Sequence, residues 1–476
     1  MRCAAQKKSY SRNSCEFHRV KSYTAIYSAG RVSLNNLLRK EADLQVTLSK
    51  NLSSVLMLFL LLLTAHAVSA MPSQGVAQTQ DVFNTGRASV LQIRTILKGS
   101  TSQSSTGSGF YVSDDGLVIT NYHVISSHAL EPKIYALEGV GSDGQGGELT
   151  LLAVDVLHDL ALLQQKGGRF PYLRFHKDNL AKGTRGFSFG NPQDIGLTIV
   201  EGTYNGLRDH SFYDTIHFTG AINSGMSGGP VVTKAGNVFG INVATMVNGQ
   251  LIGFLVPAHF ASELVERWRT KPIVPLEFQP EIALQLSAHS DALLKRVMSA
   301  QMPIQRLGNY SAPDQLDPYM RCWANSNRDP KKFYEASTYY CGGSASVFVD
   351  QDVSAGNVSF THDLVQGDAL DPFRFGTVLE SNFKYTASGW GEGNSKHFTK
   401  YACHDSVVNL HDMRVKAALC LREYRMFPGL YDVILRLSTL REDTRALQTK
   451  LNLRGVNYDS GMAFVKHYMD SIRWND

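Results

Sequence analysis

Ser227 lies in a glycine-rich segment, residues 223–230 (NSGMSGGP), which runs directly into the apolar pair Val231 and Val232. A serine hydroxyl is a poor nucleophile unless a neighbouring base takes its proton and backbone N–H groups stabilise the oxyanion that its attack creates. Glycines permit the tight bend that aims such N–H groups at one point. The segment therefore predicts a nucleophilic serine, and the alternative is an ordinary Gly-Ser turn between two strands.

Two residues upstream could supply the base and its partner. His123 lies at the end of the second strand of a predicted β-hairpin, whose Asp-Gly turn is at residues 115–116. Asp159 directly precedes an apolar Leu-Ala-Leu-Leu run, and Asp155, within the preceding predicted strand, is its rival. Alone, each has an ordinary explanation, since a lone histidine is more often structural and an aspartate can cap a turn.

Taken together, the order His, Asp, Ser among many short strands resembles the trypsin-like serine proteases, and more narrowly their HtrA/Deg branch. The resemblance covers about residues 87 to 265 and rests on local motifs in the same order. These motifs are Gly107-Ser108-Gly109-Phe110, Thr120-Asn121-Tyr122-His123-Val124, Asp159-Leu160-Ala161-Leu162-Leu163, Gly190-Asn191-Pro192, Ala221-Ile222-Asn223, Gly225-Met226-Ser227-Gly228-Gly229-Pro230, Gly240-Ile241-Asn242 and Gly253-Phe254-Leu255-Val256-Pro257.

The resemblance implies two six-stranded antiparallel β-barrels with the active site in the cleft between them. His123 would be the general base, Asp159 would orient it and Ser227 would be the nucleophile. The oxyanion hole would be built by residues 225–227 (Gly225, Met226 and Ser227), with the N–H groups of Gly225 and Ser227 as donors. No metal and no organic cofactor is expected. The alternative function is a catalytically silent or latent protease-like binding or chaperone module in extracytoplasmic protein quality control.

Substrate preference is predicted from the position six residues before the serine. In the wider trypsin-like class an aspartate there selects Lys or Arg at the cleaved bond, but this chain has Ala221. The resemblance therefore implies an apolar pocket and a preference for small or medium aliphatic side chains at the cleaved bond (the P1 residue). The residues expected to line the pocket are Ala221, Ile241, Asn242, Val243 and Gly253.

The amino terminus resembles an export signal. The aliphatic run 55–63 follows Lys50 and ends in Ala67-Val68-Ser69-Ala70, which predicts cleavage after Ala70. Residues 1–70 are thus a leader, of which 1–45 could precede the true start, and 71–86 a flexible mature terminus. The expected localisation is extracytoplasmic, periplasmic or secreted, and a membrane contact is expected only if the 54–70 segment stays uncleaved.

The charge of the chain limits the classes of partner that it is expected to bind. The formal net charge is +5, but residues 1–50 carry ten Lys and Arg against three Asp and Glu, or +7, and residues 51–70 carry none, so residues 71–476 sum to 5 − 7 = −2. A nearly neutral chain gives no electrostatic reason to expect nucleic acid. The expected partners are protein or peptide substrates, and homo-oligomer formation is left open.

The carboxy-terminal region shows no Gly-Leu-Gly-type loop, so no PDZ domain is recognised after the protease domain at 87–270. Residues 271–320 are predicted as a helix and linker, and 321–476 as an α+β domain of unknown function. The region holds four cysteines, whose spacing favours two local disulfides among three pairings, Cys322 with Cys341 and Cys403 with Cys420. The fold class is therefore an all-β double barrel followed by an α+β domain.

Overall fold

The structure is a computed structural model that describes residues 74–100, 102–192, 195–245, 252–299, 301–327, 331–384 and 396–475. The predicted signal peptide, its cleavage site and the alternative start lie outside the described residues. Within these ranges no helix is long and apolar enough to cross a membrane.

The first barrel is closed by six antiparallel strands in the order β1-β2-β3-β6-β5-β4. The strands are β1 (Val90–Leu97), β2 (Gln103–Tyr111), β3 (Leu117–Thr120), β4 (Tyr135–Gly141), β5 (Gly146–Asp155) and β6 (Leu160–Gln165). The predicted hairpin is β2 and β3, in which Gly109 pairs with Thr120. Helix α2 (Tyr122–Leu130) begins immediately after β3, so His123 lies in its first turn rather than in the strand itself.

The second barrel is also closed by six strands, in the order β10-β11-β12-β9-β8-β7. They are β7 (Arg185–Gly190), β8 (Thr198–Leu207), β9 (Ile216–Thr219), β10 (Pro230–Val232), β11 (Val238–Thr245) and β12 (Gly253–Pro257). Helix α3 (Ala258–Thr270) follows β12 directly. The two closed six-stranded barrels confirm the predicted double-barrel fold.

Strand alternation explains how the barrels meet. Val118 and Leu163 belong to a hydrophobic cluster that the first barrel shares with the carboxy-terminal part, whereas Ile119 and Leu162, next to them in sequence, belong to a cluster shared with the second barrel. Successive side chains of a strand point to opposite faces. Strands β3 and β6 therefore bury both of their faces, each in a different cluster.

The segment before β1 differs from the expectation of a flexible terminus at 71–86. Residues Gln74–Gly86 form helix α1. Val82 is 7% exposed, and the ring of Phe83 stacks on Phe189 of β7 with centroids 6.2 Å apart. These two side chains pack against the cluster shared by the two barrels. This tertiary packing stabilises a short polar helix whose composition alone does not predict a stable helix.

The carboxy-terminal part is an α+β structure around a seven-stranded antiparallel sheet in the order β15-β16-β19-β23-β22-β21-β20. Its strands are β15 (Met320–Ser326), β16 (Glu335–Gly343), β19 (Asn357–Gln366), β20 (Ala402–Leu410), β21 (Met413–Glu423), β22 (Leu430–Thr439) and β23 (Arg445–Asn457). A small sheet pairs β13 (Ile304–Leu307), β14 (Tyr310–Pro313) and β24 (Arg473–Trp474), and a separate hairpin pairs β17 (Val347–Asp350) with β18 (Val353–Ala355). The helices are α4 (Gln279–Ser299), α5 (Pro372–Phe383) and α6 (Tyr458–Asp470).

Both predicted disulfides are confirmed. Cys322 bonds to Cys341 across β15 and β16, and Cys403 bonds to Cys420 across β20 and β21. Each disulfide therefore cross-links the two strands of one hairpin, and the two hairpins lie at opposite edges of the seven-stranded sheet.

The expectation of a linker within residues 271–320 needs correction. Helix α4 packs Ile282 and Leu286 into the cluster that the first barrel shares with the carboxy-terminal part, and β13 and β14 occupy the predicted linker. Pro72–Asp476 forms one compact unit, so the barrels and the carboxy-terminal part share a core.

Candidate active site

His123 and Asp159 meet through two hydrogen bonds. The Nδ1 atom of His123 is 2.6 Å from Oδ2 of Asp159, and the backbone N–H of His123 donates to Oδ1 at 2.8 Å. The carboxylate accepts, so in the neutral imidazole the proton is assigned to Nδ1 and Nε2 is the acceptor. Because both bonds go to one carboxylate, the ring is oriented with Nε2 free to accept a proton.

A strained turn holds the carboxylate in place. Asp159 has φ 55°, in the left-handed region that aspartate tolerates better than most residues. Its carbonyl accepts the backbone N–H of Tyr122 at 3.1 Å and the side-chain amide of Asn121 at 2.8 Å. The turn between β5 and β6 is therefore fixed to the start of α2, which carries His123.

The electrostatics of the pair favour a charged histidine. Burial alone lowers the pKa of His123, but the charge of Asp159 and the hydrogen bond to it outweigh burial and raise the pKa above its ordinary value of 6.5. Positive charge on the ring is thus stabilised where a general base needs it, after it has taken a proton.

Asp155, the rival carboxylate, is engaged elsewhere. Its Oδ2 lies 3.0 Å from Nδ1 of His158, and Arg267 of α3 lies 3.7 Å away. Burial raises the pKa of Asp155, and the bond and charge of His158 together with Arg267 outweigh it and hold the pKa below its ordinary range. The structure therefore brings Asp159, and not Asp155, to His123.

The segment that carries Ser227 bends at two glycines in the left-handed region. Gly225 has φ 91° and Gly228 has φ 84°. A Cβ at Gly228 would lie 2.2 Å from the carbonyl oxygen of Ser108 and 2.9 Å from the backbone nitrogen of Asn121. The absence of a side chain lets this segment approach the first barrel two residues before His123.

Ser108 and Asn242 form the scaffold of this segment. The buried hydroxyl of Ser108 donates to the carbonyl of Gly225 at 2.7 Å, and the Ser108 N–H donates to the carbonyl of Ser227 at 2.7 Å. From the other side, the Asn242 amide donates to the carbonyl of Met226 at 3.2 Å. Sequence reasoning quoted Ser108 in a motif without giving it this role, since only the fold shows which distant carbonyl it meets.

The Ser227 hydroxyl donates to the carbonyl of Val243 at 3.4 Å. Among the described residues no hydrogen bond joins Ser227 to His123. Hydrogen bonds at catalytic sites are often long without substrate and tighten in the complex. A bond of 3.4 Å is at the weak end of the range and is easily exchanged.

Two backbone donors of the segment are free in the described part of the chain. The N–H of Met226 donates to the carbonyl of Asn223 at 3.0 Å. No acceptor among the described residues takes the N–H of Gly225 or of Ser227. Within residues 225–227, the N–H groups of Gly225 and Ser227 therefore stay available as oxyanion-hole donors, whereas the N–H of Met226 is already bonded within the turn.

The expected pocket residues divide into two groups. Ala221 and Val243 are half-buried, and the Val243 carbonyl accepts the Ser227 hydroxyl. Ile241 and Asn242 are 0% exposed and belong to the scaffold, which corrects their assignment as pocket lining. Ile241 packs in the cluster between the barrels. A Cβ at Gly253 would lie 2.6 Å from Cδ1 of Ile222, so that side chain fills the space beside this glycine. Ile222 belongs to the Ala221-Ile222-Asn223 motif but is not among the residues expected to line the pocket.

A metal site is not indicated in the described residues, where no group of three or more His, Cys, Asp or Glu side chains is arranged to hold an ion. The groups that the structure brings to the site are an imidazole, a carboxylate, a hydroxyl and backbone amides.

Comparisons with known proteins agree with this geometry. Residues 107–241 match the family of trypsin-like peptidase domains. A Chlamydia pneumoniae protein named "Probable periplasmic serine endoprotease DegP-like" is 33% identical over 180 residues, covering 36% of this chain and 36% of that protein. Human "Serine protease HTRA3" is 33% identical over 180 residues, covering 36% of this chain and 39% of that protein.

The matched region thus spans about a third of the length of these relatives (36% and 39%). Among solved structures, that of Deg5 aligns with a TM-score of 0.37 at 27% identity, covering 42% of this chain and 97% of that one. The family match and these relatives support a trypsin-like serine peptidase of the HtrA/Deg branch for the double-barrel part of this chain.

Proposed function

We propose that this chain is an exported serine endopeptidase that hydrolyses peptide bonds through His123, Asp159 and Ser227. The observation that carries the proposal is the 2.6 Å contact between His123 and Asp159, next to a glycine-bent segment that bears a half-buried serine. Catalysis by a hydroxyl needs a base whose proton acceptor is oriented, and this pair supplies one.

In the proposed reaction, Nε2 of His123 takes the proton from Ser227 Oγ as the oxygen attacks the peptide carbonyl. The oxygen leaves its weak bond to Val243 in doing so. The imidazolium, stabilised by Asp159, then gives its proton to the leaving amine, which produces an acyl-enzyme on Ser227. Water attacks the ester with His123 again as base, and Ser227 is released.

The oxyanion of each tetrahedral intermediate would accept the N–H groups of Gly225 and Ser227. Their lack of other acceptors in the described residues supports this assignment. One such donor is worth about 3 kcal/mol of transition-state stabilisation. The bond from Ser108 to the Gly225 carbonyl would keep the segment in the required shape before substrate arrives.

For specificity, we propose a small or medium aliphatic P1 residue such as Ala or Val. Ala221 supplies no charge for a basic side chain, and Ile222 occupies the space beside Gly253. Both features support a shallow apolar pocket. A pocket with one methylene too little space discriminates by about 1–3 kcal/mol.

An extracytoplasmic location is supported by two observations. A relative is named as periplasmic, and the chain carries two disulfides, which persist in oxidising compartments. Export through cleavage after Ala70 predicts a mature protein that begins at Met71, which amino-terminal sequencing would test. The proposed partners are protein or peptide substrates, and sedimentation of the purified protein tests for a homo-oligomer.

The test is digestion of an unfolded protein such as casein, with the new termini mapped by mass spectrometry. We expect cleavage after Ala and Val, lost in Asp159→Asn by a factor of about 10⁴. Asp155→Asn is the matched control, the same change in the rival carboxylate, and it retains cleavage. Loss in Asp155→Asn alone would contradict the assignment of the acid. Cleavage mainly after Lys, Arg or Glu would refute the pocket, and no cleavage would favour the silent-module alternative.

A further inference from the structure

A hairpin from the carboxy-terminal part of the chain lies beside His123. Phe348 of β17 places its ring centroid 6.0 Å from that of the His123 imidazole, with the planes at 76°. The same ring lies 6.4 Å from Tyr122 at 68°. Both are edge-to-face contacts, the geometry that aromatic pairs prefer.

The hairpin is fixed from both sides. The hydroxyl of Tyr122, the residue before His123, donates to the carbonyl of Val349 at 3.1 Å. At the opposite strand, the hydroxyl of Tyr424 donates to the carbonyl of Ser354 at 2.9 Å. The hairpin is thus held between the first turn of α2 and Tyr424, the residue that follows β21.

Phe348 is the residue of β17 whose ring lies against His123. Val347 and Val349 are 3% and 0% exposed and are buried in the cluster that the first barrel shares with the carboxy-terminal part. Phe348, between them, packs against the same cluster but is only half-buried. A large apolar ring is therefore left partly open to solvent where it lies against the proposed base.

We propose that Phe348 is a positioning and specificity residue of the active site, although it belongs to the carboxy-terminal part. Its ring restrains the imidazole plane, keeps water from one side of it and forms an apolar wall of the cleft beside His123. The ligand that this wall fits is a substrate peptide with an apolar side chain flanking the scissile bond on the side of His123. The inference rests on the proposed peptidase function.

The physical consequence of the contact is twofold. An edge-to-face aromatic contact contributes beyond its buried area, and its loss corresponds to a change of about 2- to 10-fold in a rate or affinity. Shielding from water also disfavours the charged imidazole. Without the ring, water reaches His123 more easily and the imidazolium is better solvated.

The experiment compares Phe348→Ala, Phe348→Tyr and Phe373→Ala in the full chain. Phe373 is 90% exposed at the start of α5 and is the matched control. For each variant, kcat/KM is measured against pH with two peptides that differ only at the flanking position, Leu in one and Gly in the other. The rate of Ser227 labelling by a fluorophosphonate is measured in parallel.

For Phe348→Ala we expect the preference for Leu over Gly to fall about 2- to 10-fold, mainly through KM. We also expect the acid limb of the pH profile to move to higher pH. Phe348→Tyr keeps the ring and restores both, and Phe373→Ala leaves both unchanged.

A purely structural role would lower activity on both peptides equally, without moving the limb, and would overturn the inference. So would a Phe348→Ala enzyme that matches the wild type in every readout. If the wild type itself fails to react with the fluorophosphonate, the peptidase proposal fails instead, so the two failures are distinguishable.

Discussion

Asn242→Ala removes three hydrogen bonds at once from the core that supports Ser227. The residue is 0% exposed, and its amide donates to the carbonyls of Phe189 at 3.0 Å and Met226 at 3.2 Å. Its Oδ1 accepts the hydroxyl of Ser188 at 2.9 Å. The Asn242 side chain and its three hydrogen-bond partners lie between β7, β11 and the serine segment. No other side chain replaces these hydrogen bonds without rearrangement.

The magnitude follows from the count of bonds. A buried hydrogen bond contributes about 1 kcal/mol net, and groups left without a partner cost more, so the loss is about 3 kcal/mol or slightly above. That is a large part of the roughly 5–15 kcal/mol that keeps a domain folded. Because Met226 is one of the acceptors, the oxyanion segment also loosens, and kcat falls for every substrate.

The assay has two readouts, urea unfolding followed by tryptophan fluorescence and kcat/KM over peptides that vary at P1. Asn205→Ala is the matched control, since its half-buried amide donates to Thr203 at 3.0 Å and Thr219 at 2.6 Å at a site that water reaches. We expect it to cost at most about 1 kcal/mol. If Asn242→Ala keeps wild-type stability but changes the ranking of P1 residues, the residue lines the pocket and the scaffold interpretation is wrong.

Three further predictions follow from single contacts. Gly228→Ala abolishes cleavage, because its Cβ would meet a carbonyl oxygen at 2.2 Å. The control Gly236→Ala, also at positive φ (80°) but with nothing within 4 Å of the added Cβ, lowers the free energy of unfolding in urea by only about 1 kcal/mol. Equal effects of the two substitutions would contradict the close approach at Gly228. The acid limb of the kcat/KM profile lies above pH 6.5, because Asp159 raises the pKa of His123, and a limb below pH 6.5 would contradict this sign. The stability that the pair contributes is present below the pKa of His123 in the unfolded chain, and it is lost as the pH rises through the pKa of His123 in the folded protein. Cys403→Ala opens a loop with a separation of 17 residues and lowers the free energy of unfolding by about 3 kcal/mol. The rate at which a fluorophosphonate labels the folded protein stays unchanged. A slower labelling rate would mean that the far edge of the seven-stranded sheet affects Ser227.

The β2–β3 hairpin could be predicted because its signals are local, whereas the two barrels were expected from the resemblance to trypsin-like proteases. Apolar runs on both sides of the Asp-Gly turn at 115–116 specify this hairpin without reference to the rest of the chain. The two disulfides were also predictable, since each joins neighbouring strands of one hairpin, and local pairing is what their spacing favours.

The parts that could not be predicted depend on distant contacts. Ser108 and Gly225 are 117 residues apart, and nothing local indicates that the hydroxyl of one meets the carbonyl of the other. Asn242 lies in a recognisable motif, yet its direction, into the core rather than the pocket, is fixed by Ser188 and Phe189 of another strand. Phe348 lies in a region without catalytic motifs, and only the shared core brings its hairpin to α2.

The same reason explains helix α1. Its sequence is polar and small, which favours a flexible terminus when it is considered alone. The stacking of Phe83 on Phe189 requires β7 of the second barrel, so the helix depends on tertiary packing and not on its own propensity alone.

The central claim is that Ser227 is a nucleophile activated by His123. The most direct measurement is the intact mass of the protein after reaction with a fluorophosphonate, followed by mapping of the modified peptide. We predict one adduct per chain, on Ser227, and no adduct in Ser227→Ala or His123→Ala. An unmodified wild type with its fold intact, or an adduct that persists in Ser227→Ala, would contradict the claim.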